Sequence, residues 1–237
     1  MKEIMYIVIL AAISLATLPV CSKGNKNLGN NELVGEVESN CDKYSKDELF
    51  QKLMDSYSSK DLKRYSTTIS CFRSQTSNDE EFIPIFYLVA YSDDDSYVLE
   101  VIESINNINL KLPTEEYIIH FATEKGSMKL VERIIELGGN ANVKSDFNLM
   151  PIDIAIQKDL GLFELLLKNT KLNRRDSKNL VSSIIMHSNR NKFAMVELLL
   201  KSDNFYKDKE LLDYMEYISS LRGYNDILGL VKGYNSN

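Results

Sequence analysis

The groups able to do chemistry in this 237-residue chain are few: two histidines (His120, His187), three cysteines (Cys21, Cys41, Cys71) and one acidic triplet, Asp93-Asp94-Asp95. An imidazole titrates near neutrality, so His120 could serve as a general base. His187 falls at the expected end of a helix, where a cation is mildly favoured. A cysteine nucleophile needs a base beside it, and neither Cys41 nor Cys71 has a histidine close in sequence. The triplet lacks the glycine and distal glutamate of a calcium loop. It reads as a turn and a helix start, where carboxylates suit the positive end of the helix dipole. There is no C-x-x-C pair, and two histidines are too few for a structural zinc site. No Gly-rich phosphate loop, G-x-S-x-G or H-E-x-x-H occurs. The chain is therefore expected to carry no catalytic residue, no metal and no cofactor, and not to be an enzyme.

The elements that would position these groups are helical. The chain is 44% hydrophobic and 26% charged, as ordinary globular proteins are, with no long alternating strand pattern. With 28 Lys plus Arg against 34 Asp plus Glu, the formal charge is −6. An acidic chain without a basic tract argues against nucleic acid as partner.

Lys2 precedes an uncharged run, residues 4–20, that is short for a membrane span of about 20 apolar residues and fits a secretory signal peptide. Two cleavage sites compete. Ser14-Leu15-Ala16 fits ordinary signal peptidase, giving a start at Thr17. Leu18-Pro19-Val20-Cys21 resembles a bacterial lipobox, with Val20 where a smaller residue is usual. The lipobox is preferred, which makes residues 1–20 a lipoprotein-type signal and Cys21 the lipidated residue, anchored to the bacterial membrane on the periplasmic side. Membrane contact is expected through that lipid alone. Residues 21–44 read as a flexible tether, because the stretch is rich in Gly, Asn, Lys and Glu and poor in apolar side chains. In an oxidising compartment Cys41 and Cys71 are expected to pair. The chain-entropy model assigns ~3–4 kcal/mol to a bridge over so long a loop.

Residues 45–78 read as an N-terminal helical cap. Ser45 and Glu48 form a capping-box pattern ahead of Leu49, Phe50, Leu53 and Met54, and a second helix is expected over 60–69, with Cys71 just after it. A polar connector, residues 73–81, leads to Phe82-Ile83-Pro84-Ile85-Phe86 and then to Val98, Leu99, Ile102 and Ile105 on one helical face.

From residue 117 the pattern is periodic. His120 and Asp153 are 33 residues apart, as are Ala122 and Ala155; Phe86 lies 34 before His120. Gly126 supplies a turn, Leu130, Val131, Ile134 and Ile135 a second helical stripe, Gly138 a helix stop, and residues 140–146 a polar loop. Met150-Pro151-Ile152-Asp153-Ile154-Ala155 then opens the next unit. Its glycine position is Asp159, and its second helix, through Leu162, Phe163 and Leu165 to Leu167, reads about a residue short. This period and content resemble the ankyrin repeat, whose signature is T-P-L-H-x-A. Two further helix pairs follow by rhythm alone, from Leu180 and from Lys209. The resemblance implies an all-α fold over residues 79–237: an ankyrin-repeat α-solenoid of about 4–5 helix-turn-helix repeats behind the cap. It also implies that His120 bonds neighbouring repeats together.

The resemblance implies binding rather than catalysis. Carried over by position, the partner-binding residues are Lys144, Asp146 and Phe147 on the finger loop and Thr123, Glu124 and Gln157 on the first helices. The expectation is a monomeric envelope protein that binds a protein partner through its concave surface, as an immunity protein or a scaffold. The alternative is a secreted effector of the same repeat type acting on host proteins.

Overall fold

The structure is a computed structural model and describes residues 41–186 and 191–236. The signal segment, Cys21 with residues 22–40 of the tether, and His187 lie outside the described residues. Among the described residues there are twelve α-helices and no β-strand, only an isolated bridge between Lys111 and Tyr117. The fold is all-α. It divides into two compact units at Leu110–Lys111. The repeat-like segment that begins at Phe82 therefore groups with the two helices before it, and not with the repeat that follows, as had been expected from residue 79 onward.

The first unit contains α1 (Lys46–Ser58), α2 (Leu62–Ser74), α3 (Ile83–Val89) and α4 (Asp95–Ser104). The Ser45 hydroxyl accepts from Glu48 N at 3.3 Å, and the Glu48 carboxylate accepts from Ser45 N at 2.8 Å, satisfying two end donors of α1 at once. Leu49 and Leu53 of α1 meet Tyr65, Ile69 and Phe72 of α2 in a buried core. Each such side chain contributes ~1.5–3 kcal/mol. The tyrosine ring of Tyr65 stands edge-on to Tyr97 at 5.1 Å, and burial pushes its hydroxyl pKa up. On α4 the buried face is Tyr97, Val98, Val101 and Ile102; Leu99 is only half-buried.

Two expectations need correction here. The second helix runs on to Ser74, so Cys71 lies inside α2. The tether does not reach residue 44: Cys41–Lys43 form a 3-10 turn, and the Gln75 side-chain amide donates to Cys41 O at 2.9 Å and Tyr44 O at 2.8 Å. The expected Cys41–Cys71 disulfide is present, with the Cα atoms 5.1 Å apart. The connector is also more than polar filler. Asp79 accepts from Arg73 Nη1 at 2.8 Å and from the backbone N–H groups of Asn106 and Asn107, which ties the connector to the end of α4.

The second unit holds four helix pairs: α5 (Ile118–Lys125) with α6 (Met128–Glu136), α7 (Pro151–Ala155) with α8 (Leu160–Asn169), α9 (Arg174–Met186) with α10 (Lys192–Lys201), and α11 (Lys209–Leu221) with α12 (Asn225–Asn235). The second helices form a continuous row, α6 on α8 on α10 on α12, while α5 packs on α7 and α9 on α11. Cross-links between the connecting segments follow the same order. Lys171 N donates to the Asn142 side chain at 2.8 Å, and Leu172 N to Asn204 O at 2.9 Å.

The 33-residue period is visible in the backbone. Leu112 N donates to Glu116 O and Glu115 N to Leu112 O; 33 residues on, Ser145 N donates to Leu149 O and Asn148 N to Ser145 O. Glu115 (φ 67) and Asn148 (φ 60) occupy the same left-handed position in the two turns. At the end of α6, Gly138 (φ 88) lets Gly138 N reach Ile135 O and Gly139 N reach Ile134 O, so the last carbonyls are paired.

The period then lapses. α8 is not short; it has 10 residues against 9 in α6. The shorter element is the first helix, five residues in α7 against eight in α5, and the Asp159 carboxylate caps α8 by accepting from Leu162 N at 3.0 Å. The next unit starts at Arg174 rather than near Leu180, and α8 and α9 are joined by residues 170–173 alone, too few for a finger.

Candidate partner-binding surface

The finger between α6 and α7 turns at Ser145–Leu149. Its tip is held from both sides. Lys111 Nζ lies 2.7 Å from the Asp146 carboxylate and 2.8 Å from that of Glu115, and Asp146 N donates to Glu115 O at 3.2 Å. The Asp146 and Glu115 carboxylates hold the Lys111 pKa above its usual value. On the other side, Lys144 Nζ reaches the Asp176 carboxylate of α9 at 2.6 Å, and the Asn173 amide donates to the same carboxylate at 2.7 Å. Asp176 is buried, so Lys144 neutralises a charge that would otherwise stand alone in a poorly solvated place.

His120, on the first turn of α5, is fully buried. Its Nδ1 accepts from Tyr117 N at 3.3 Å and its Nε2 donates to Leu149 O at 2.9 Å. Both nitrogens are thus engaged by the neutral ring with hydrogen on Nε2. Burial lowers the His120 pKa, against the opposing effect of the Leu149 carbonyl. Asp153 repeats half of this arrangement, accepting from Met150 N at 2.8 Å, and burial raises its pKa. His120 is a strut between α5 and the finger beyond it. Tyr117, which lacks the hydroxyl a threonine would offer as helix cap, has its N–H taken by the imidazole instead.

The six expected partner-binding residues divide accordingly. Thr123 is not available to a partner: it is fully buried, and its hydroxyl donates to Ile119 O at 2.8 Å. The position that the repeat resemblance put on a helix surface points into the packing between helices. Lys144 and Asp146 are exposed but engaged as ties between successive units. Phe147 stands free at the tip, 70% exposed, with Leu149 44% exposed beside it. Glu124 on α5 and Gln157 in the turn after α7 are both exposed, 33 residues apart, with Lys158 Nζ 3.4 Å from Glu124. Burial and the nearby Glu124 raise the pKa of Glu116.

The ties that sequence reasoning missed carry a readable signal. Lys111 lies 35 residues before Asp146, Asp176 lies 32 after Lys144, and Lys158 lies 34 after Glu124. Opposite charges one repeat apart mark contacts between units, and a lone charge in a finger does not.

Among the described residues, no group of three His, Cys, Asp or Glu could hold a metal ion, and no helix is long and apolar enough to cross a membrane. The Asp94 carboxylate of the acidic triplet accepts from Ser96 N at 2.9 Å as the cap of α4. No protein-family model, no curated protein and no solved structure matches the chain.

Proposed function

We propose that this chain is an exported ankyrin-type repeat protein, lipid-anchored through Cys21, that binds a protein partner with the finger tip and the exposed side of its first helices. It works as an immunity protein or scaffold in the envelope and catalyses no reaction. The observation that carries the reading is Phe147: a large apolar ring, 70% exposed, on a turn that three hydrogen bonds and an ion pair hold in place. A fixed turn loses little entropy on binding, and an aromatic anchor of this kind is a typical hot spot. The repeated left-handed turn positions at Glu115 and Asn148, and the bond from His120 to the following finger, support the repeat assignment.

Burying the Phe147 ring is worth ~1.5–3 kcal/mol, or about 10–150-fold in affinity. Capture from envelope extract with wild-type protein and with Phe147→Ala plus Glu124→Ala tests the surface. Equal recovery of the same partner by both would sink it. Mass spectrometry of the mature N-terminus tests the anchor: acylated Cys21 is expected, and a free Thr17 start would favour the secreted effector instead.

A further inference from the structure

The chain is acidic, yet one face of α9 is not. Arg175 and Lys178, three residues apart, share one side of the helix, and Lys171 precedes them in the non-helical link. All three are exposed, and among the described residues none of them pairs with a carboxylate. Elsewhere in the second unit Lys111, Lys144, Lys158, Lys168, Arg174 and Lys201 are each within 4 Å of one. The strip ends on an aromatic ring. Lys178 Nζ lies 4.5 Å from the centre of Tyr214 of α11, whose hydroxyl is 2.8 Å from that of Ser182. The hydrogen bond fixes the ring, so cations and an aromatic plane are presented together.

We infer that the Lys171–Arg175–Lys178 strip, closed by Tyr214, docks an acidic, extended segment of a protein partner. The inference rests on the protein-binding reading above and adds the chemistry of one stretch of the partner. Charge complementarity selects the occupant: three unpaired cations in a row favour carboxylates, and Tyr214 offers a plane for an apolar side chain between them. An anionic bilayer is the weaker fit. A flat surface senses the whole molecule, which carries −6, and would also meet Glu210 and Asp213, both exposed beside the strip on α11.

The test is fluorescence anisotropy of the soluble chain, without its N-terminal segment's lipid, against a labelled twelve-residue glutamate peptide carrying one central phenylalanine. Binding is expected to weaken as salt rises, and Arg175→Glu plus Lys178→Glu is expected to weaken it by about ten-fold or more. Arg175→Gln plus Lys178→Gln, which removes charge without adding repulsion, is expected to fall between. Lys129→Glu, on α6, is expected to change nothing, and circular dichroism melts check that every variant folds. No binding by wild type, or equal loss with Lys129→Glu, would overturn the inference. So would sedimentation with phosphatidylglycerol vesicles that depends on Arg175 and Lys178 while the peptide fails to bind. The capture experiment with Phe147→Ala is independent of this titration, so loss of the strip and loss of the partner-binding reading can be told apart.

Discussion

Replacing His120 tests whether the second unit is held together as described. The ring is fully buried and spends both nitrogens, on Tyr117 N and Leu149 O. His120→Ala removes two hydrogen bonds at about 1 kcal/mol each and leaves a ring-sized void, so a loss of ~3–4 kcal/mol is expected. His120→Asn should keep an acceptor for Tyr117 N, as Asp153 does for Met150 N one unit later, but cannot reach Leu149 O. It is expected to lose about half as much. The pH dependence gives a second handle. The folded-state pKa is lowered from its ordinary value of 6.5 by burial, so below pH 6.5 the unfolded chain takes up the proton first. Stability is therefore full above 6.5 and falls as pH drops through that value toward the folded pKa, by at most ~1.4 kcal/mol per pH unit. Urea melts at pH 7.5 and 5.5, followed by circular dichroism, read both quantities, and hydrogen exchange over residues 145–149 localises the damage to the finger. A His120→Ala variant within 1 kcal/mol of wild type, or a His120→Asn variant with the same pH slope as wild type, would refute the strut.

Three further outcomes follow from the same geometry. Cys41 and Cys71 should resist thiol labelling until reductant is added, and changing both to Ser should cost ~3–4 kcal/mol and free the 41–44 segment, seen as faster exchange there. Asp79→Asn should destabilise the first unit by ~2–3 kcal/mol, since one carboxylate serves Arg73, Asn106 and Asn107. Burial opposes the ionised form of Asp79, but these donors together hold its pKa below 3.8, so its contribution is complete above that value and lost as pH falls further; a denaturant series down the acid range reads it. Gly138→Ala should cost about 1–2 kcal/mol in a thermal melt, because φ 88 is a left-handed conformation that a side chain disfavours.

Much of the fold was legible because it depends on spacing along the chain. Of the expected stripes, Leu130, Val131, Ile134 and Leu162, Phe163, Leu166, Leu167 are buried while Ile135 and Leu165 are half-buried, and Gly126 and Gly138 take the left-handed turns their positions called for. The partner surface was less legible. Phe147 was recognisable as an aromatic that no stripe needed, whereas Thr123 was misjudged. A short polar side chain can satisfy its hydroxyl on its own helix, at Ile119 O, and so be buried where its type suggests exposure.

The sequence by itself determined the helical class, the 33-residue unit between residues 117 and 155, and the cysteine pair, because helix period, turn glycines and loop closure are properties of local order along the chain. The tertiary structure decided which charges are free. Lys144, Asp146, Arg175 and Lys178 look alike as letters, yet two are ties between units and two stand without a carboxylate. It also decided where the repeats stop being regular, at the four-residue link before Arg174. Both depend on which residues a neighbouring unit brings within a few ångströms, and that follows from how the helix pairs stack rather than from any one segment.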